Sequence, residues 1–191
     1  MINKTFFLYG LLFFTFFIQN GNAFDKKGNS SFITEVKTGI VQHDAGVFGR
    51  QKEEGLDSTF EFLFRPINYN LFWLGKPRPH LGATINMSGD TSQAYAGVTW
   101  DWKLPKRMFF NFSWGLSYHN GNKIHSPDNV ITDKKELGSN ILFREAAEIG
   151  WNFYGKDSIS IRFDHISNAN LWGEDANEGL DTLGIVYSYK F

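Results

Sequence analysis

Apolar and polar residues alternate with period two along most of this chain, and the alternation recurs in eight segments. In "FITEVKTGI", Phe32, Val36 and Ile40 share one face and Glu35 and Lys37 the other. In "TFEFLFR", Phe60, Phe62 and Phe64 oppose Glu61 and Arg65. "HLGATINM" sets Leu81, Ala83, Ile85 and Met87 against Gly82, Thr84 and Asn86. "AYAGVTWDW" sets Ala94, Ala96, Val98, Trp100 and Trp102 against Thr99 and Asp101. The fifth and sixth segments, "MFFNFSWGLSY" and "ILFREAAEIGWNF", follow the same rule, with Asn111, Ser113 and Ser117, then Arg144, Glu148 and Asn152, on the polar side. The seventh spans 158–166, and the eighth is "DTLGIVYSYKF". A period of two is the signature of strands with two unlike faces.

Eight such segments suit a soluble sandwich or lipocalin-like barrel with its apolar face inward. They equally suit a membrane barrel with that face toward lipid. The apolar faces here are large and aromatic. Several carry paired rings near a strand end, as at Trp100 and Trp102 or Trp151 and Phe153, which is where interfacial girdles form. The opposite faces hold charges of both signs, Glu61, Asp101, Arg144, Glu148 and Arg162 among them. The expected fold is therefore all-β: an eight-stranded antiparallel transmembrane β-barrel of the outer membrane. Its interior is just wide enough for side chains to fill, so the charges should pair inside and plug it. Phe191, closing an alternating strand, resembles the terminal aromatic of bacterial outer-membrane proteins. The long outer loops are expected at about 43–57, 88–93, 119–139 and 167–180, with both termini at the periplasmic end. Two features resist this scheme. The stretch 66–79 is long for a periplasmic turn, and Glu145 has the parity of the lipid face unless a bulge near Ala146 re-phases its strand.

Composition narrows the class. Lys4 followed by the apolar run Phe6–Ile18, with Gly21 and Ala23 before a cleavage point, reads as a signal peptide over 1–23, leaving 24–191 as the barrel domain. There is no cysteine, so disulfides and thiolate metal sites are excluded. A net charge of −1 gives no basic surface for nucleic acid. His43, His80, His119 and His125 share no ligand spacing and read as loop or strand-end polars, and no metal or cofactor is expected. Lys52, Lys123, Lys134 and Lys135 fall in outer loops, where solvated lysines are commonplace.

The seventh segment ends in "RFDHISNANL". His165 and Ser167 keep the parity of Ile161 and Phe163, so they lie on the lipid face near the outer rim. Residues two apart on a strand are about 6.5–7 Å apart, a gap that imidazole and hydroxymethyl groups can close. Asp181, on the lipid-face parity of the eighth strand, could lie about 5 Å across from His165. These residues satisfy the roles of nucleophile, base and orienting acid. They also fit ordinary polar residues at a rim, where a lipid-face charge costs only about 0–1 kcal/mol.

His165-Ile166-Ser167-Asn168-Ala169, followed by Asn177-Glu178-Gly179-Leu180-Asp181 and a terminal strand ending in Phe, resembles the lipid A 3-O-deacylase (PagL) family. The resemblance implies an eight-stranded outer-membrane barrel that hydrolyses the ester-linked acyl chain at the 3-position of lipid A in the outer leaflet. By the same resemblance, His165 is the general base, Ser167 the nucleophile and Asp181 the acid. Asn168, Asn177 or nearby amides form the oxyanion site. The expected partners are lipopolysaccharide and outer-membrane lipids. The best-known members carry Glu where this chain has Asp181, and the interval "LWGEDANE" is longer here, which leaves Glu174 and Glu178 as competing acids. An outer-membrane phospholipase-type esterase and a non-catalytic barrel for adhesion or envelope integrity are the alternatives.

Overall fold

A computed structural model describes residues 31–48, 51–123, 133–169 and 178–191. The expected signal peptide lies outside the described residues, as do His125, Glu174 and Asn177. Ile33–Lys190 form one compact unit of eight strands. These are β1 (Ile33–Gln42), β2 (Leu56–Phe64), β3 (Arg78–Asn86), β4 (Gln93–Lys103), β5 (Met108–His119), β6 (Ile141–Tyr154), β7 (Asp157–Ser167) and β8 (Leu180–Lys190). Each strand runs antiparallel to its neighbours in sequence, and β1 pairs with β8, so the sheet closes into a barrel. Closure leaves no edge with unpaired backbone groups, which is what allows strands to sit in hydrocarbon.

The alternation sorts residues between the two sides of the wall, polar side inward. On β7, Ser158, Ser160, Arg162, Asp164 and Ile166 are buried, while Ile159 and Ile161 are exposed. The outer face presents Ile40, Leu81, Ile85, Trp114, Leu116, Ile149, Ile161 and Ile185 to the surroundings. A continuous apolar belt of this kind is the reverse of a soluble barrel and marks a lipid-facing wall.

The charges inside pair across the lumen. Lys37 Nζ reaches both carboxylate oxygens of Glu148 at 3.0 Å. Arg162 bridges Glu148 (2.8 Å) and Glu61 (3.1 Å). Arg144 pairs with Asp164 and lies 3.7 Å over the Tyr95 ring. Lys37, Arg144 and Arg162 are thus matched by Glu61, Glu148 and Asp164. Toward the end bearing the long loops, Leu137, Leu142, Ile166 and Leu180 form a small dry cluster inside the wall.

Two points left open by the alternation close here, and one expectation needs correction. No register shift occurs at Ala146: β5–β6 pairing is continuous, and the only shift between β6 and β7 falls between Asn152 and Tyr154. Glu145 therefore stays on the outer face, because a strand without a bulge cannot change phase. The stretch 66–79 is not a bare turn. It carries a 3-10 turn over Phe72–Leu74 inside a short hairpin, with Ile67 N–H donating to Pro77 O at 2.8 Å and a Leu71–Gly75 bridge. Its last residues open β3, which places Arg78 inside the barrel, 2.8 Å from Glu35. His80 is likewise an interior residue, with Nδ1 2.9 Å from the Thr99 hydroxyl.

Candidate active site

β7 and β8 bring His165 and Asp181 into direct register near the loop-rich end. His165 Nδ1 lies 2.6 Å from Asp181 Oδ1. The second carboxylate oxygen, Oδ2, accepts the Phe48 backbone N–H at 2.6 Å. Both oxygens are engaged, so the carboxylate is fixed and Nδ1 carries the proton that it accepts. That tautomer leaves Nε2 with its lone pair, as a base requires. Glu178 does not compete: Lys52 Nζ is 2.7 Å from one of its oxygens, and the Glu136 N–H donates to the other at 2.8 Å.

Ser167 sits two residues beyond His165, on the same outer face, paired in register with Phe143. Among the described residues no hydrogen bond joins Ser167 to His165. Unliganded sites often hold such pairs apart until substrate arrives. The chain turns sharply just after Ser167, where Ala169 adopts a left-handed φ of 53°, a conformation costly for a residue with a Cβ. Asn168 is buried, with its side-chain amide donating to Leu137 O at 3.4 Å.

Two contributors were invisible to periodicity. The first is Phe48, 133 residues from Asp181 in the chain. Besides its N–H, it sets its ring edge-on to His165 and Phe163, with centroids 5.4 and 5.5 Å away. The second is Gly179, at φ +62°, where an added Cβ would lie 2.9 Å from His165 Cε1. Gly179 stands in the quoted motif, and its need to be small is the signal; Phe48 left none.

The loop carrying Phe48 is itself anchored. His43 is buried between two carboxylates, Nδ1 2.8 Å from Asp57 and Nε2 2.8 Å from Glu53. Glu53 also accepts N–H groups from Thr91 and Lys135 and the Thr91 hydroxyl. Asp44 accepts the Lys52 and Glu53 N–H groups and faces Lys135 Nζ at 3.1 Å. Ala45 N–H then donates to Asp181 O at 2.8 Å. Lys135 is thus buried in this clamp, unlike the solvated lysine expected.

Burial alone would lower the His43 pKa, but hydrogen bonds to Asp57 and Glu53 outweigh it and raise the pKa to about 9. Burial works against the Glu53 carboxylate too, yet His43, Lys135 and Thr91 hold its pKa down to about 2. The His43 contribution is full below its ordinary value of 6.5 and is lost as pH rises through 9. The Glu53 contribution is full above 4.5 and is lost as pH falls toward 2. The thermal midpoint of the barrel in detergent should therefore fall between pH 7 and 10, and His43→Gln should flatten that fall. Equal slopes in the two proteins would refute the assignment to His43.

Among the described residues no cluster of His, Asp and Glu is arranged to hold a metal. What is arranged is a base fixed by an acid, with a hydroxyl beside it, on an apolar wall. That set can acylate and deacylate a serine when the substrate ester lies at the lipid surface.

The comparisons agree on this architecture. A family model described as Lipid A 3-O-deacylase (PagL) matches residues 67–190. The crystal structure of the outer-membrane enzyme PagL superposes with a TM-score of 0.61 at 14% identity, covering 82% of this chain and 99% of that one. Neisserial surface protein A (NspA) superposes with a TM-score of 0.51 at 13% identity, covering 86% and 100%. The N-terminal β-barrel domain of Pseudomonas aeruginosa OprF gives 0.50 at 10% identity, covering 84% and 100%. At these identities the superpositions speak for the fold, an outer-membrane barrel. No curated protein matches the chain in sequence.

Proposed function

Since this chain belongs to the lipid A 3-O-deacylase (PagL) family, we propose that it hydrolyses the ester-linked acyl chain at the 3-position of lipid A, with Ser167, His165 and Asp181 as its triad. The observation that supports this most is the 2.6 Å His165–Asp181 contact on the lipid-facing wall, with Ser167 on the same face. The barrel sits in the outer membrane with its loop-rich end outward, so the site opens to the outer leaflet. The substrate is part of that leaflet, and its acyl chains stay in hydrocarbon while the ester meets Ser167.

His165 Nε2 takes the Ser167 proton as Oγ bonds to the carbonyl carbon. The resulting oxyanion is met by donors from the turn after Ser167 and the loop before β8, where Asn168 and Asn177 or neighbouring amides are the candidates. One such donor is worth about 3–4 kcal/mol. Collapse breaks the bond to the sugar oxygen, which leaves with the proton from His165. Water, deprotonated by His165, then attacks the acyl-serine; the acyl–Oγ bond breaks, His165 returns the proton to Ser167 Oγ, and the fatty acid leaves. Asp181 holds the imidazole tautomer and stabilises the imidazolium throughout.

The test of substrate class is a comparison of vesicles. The purified barrel should release fatty acid from vesicles containing lipid A and none from phospholipid alone. Release from phospholipid alone would favour a phospholipase-type esterase; release from neither would leave a non-catalytic barrel.

A further inference from the structure

Glu145 is a carboxylate on the lipid-facing side of the wall, and its strand has no bulge there to turn it inward. On β6 it pairs in register with His165 of β7, which pairs with Asp181 of β8. The outer wall therefore carries acid, base and acid in one row across three strands. Asp181 already holds Nδ1, and Glu145 makes no ion pair with His165 among the described residues. It is half-buried, with Trp114 in register on its other side and Phe143 and Ala147 before and after it on the same face. Trp114 stacks on Phe143 at 6.3 Å, which walls the outer side of the position.

At this rim a carboxylate on the lipid face costs at most about 1 kcal/mol, so it can stand without a partner in the free protein. Nothing among the described residues meets Glu145, which leaves its carboxylate open to a partner on the substrate. A carboxylate repels anionic groups and accepts from donors, and on the hydrocarbon side of the ester no charged headgroup reaches it, so the donor is uncharged. Position selects which donor. β7 runs toward the loop-rich end, so Ser167 lies beyond His165 and Glu145 lies on the hydrocarbon side of the nucleophile. Diagonal neighbours of this kind are about 7–8 Å apart. An acyl chain leaving the Ser167-bound carbonyl for the hydrocarbon passes Glu145 within its first few carbons. Below it, Ala147 sits between its register partners Phe112 and Phe163, and its small side chain leaves a step along which the chain can descend.

Resting on the deacylase reading, we infer that Glu145 accepts a hydrogen bond from a hydroxyl on the β-carbon of the acyl chain, and so selects 3-hydroxyacyl esters over plain acyl esters. A site built to hydrogen-bond a hydroxyl discriminates strongly against the analogue lacking it.

The experiment uses two lipid A substrates that differ only in that hydroxyl. The full barrel should prefer the hydroxylated ester by about tenfold or more in kcat/KM. Glu145→Ala should bring the ratio of the two kcat/KM values close to one, and Glu145→Gln, which keeps an acceptor, should give an intermediate ratio. A native ratio near one overturns the inference and leaves the deacylase reading standing. A Glu145→Ala protein that loses activity equally on both esters also overturns it, since that is how a residue acting through His165 or the fold behaves. If the native protein cleaves neither substrate, the deacylase reading fails and the inference goes with it.

Discussion

Ser167→Ala should lower the rate of acyl release from lipid A by about 10⁴–10⁶-fold, and His165→Asn should do the same. Triad members act as a unit, so the double variant should be no worse than either single one. Asp181→Asn should cost about 10⁴-fold, because an amide that donates toward Nδ1 favours the wrong tautomer. The 2.6 Å contact makes this loss specific: no other carboxylate among the described residues is within ion-pair distance of His165. All three side chains lie on the outer wall or under the Phe48 loop, away from the lumen network. The variants should therefore keep the native protein's β-sheet circular-dichroism spectrum while losing turnover. A Ser167→Ala protein within tenfold of native activity would remove Ser167 from the mechanism.

The largest effect on stability should come from the lumen. Arg162 is buried and joins Glu61 and Glu148 in one hydrogen-bonded set with Lys37. Removing one partner from a buried ion cluster leaves an uncompensated charge and costs about 3–5 kcal/mol. Arg162→Leu should lower the unfolding free energy in detergent by that amount. Adding Glu148→Gln should recover part of it, because the excess negative charge is then removed. Only Lys37 and Arg144 would remain to balance Glu61 and Asp164. A loss under about 1 kcal/mol, or no recovery in the double variant, would mean that water fills the lumen and screens these charges.

The wall of the barrel was legible in the chain because hydrocarbon outside and ion pairs inside impose opposite chemistries at every second residue. That contrast identified the eight strands. It also assigned Glu35, Lys37, Glu61, Arg144, Glu148 and Arg162 to a common side and put His165 and Ser167 in phase with Ile161. It failed where no such contrast exists. Loop residues have no period, so Phe48 gave no sign that its N–H would reach Asp181. His43 read as a loop or strand-end polar, and nothing in the pattern showed that it is buried between two carboxylates. Arg78 was lost in the Pro-rich run 66–79 because the strand opens with only one residue before Pro79. Glu145 was legible as an anomaly, and the continuous register at Ala146 keeps it on the outer face.

The central claim is that Ser167 releases the 3-linked acyl chain of lipid A. Mass spectrometry of lipid A from cells expressing the native chain tests it most directly. The claim predicts lipid A lighter by one 3-hydroxyacyl chain, assigned by fragmentation to the 3-position, and unmodified lipid A from cells making Ser167→Ala. Loss of a chain from another position, or equal loss with Ser167→Ala, would contradict it.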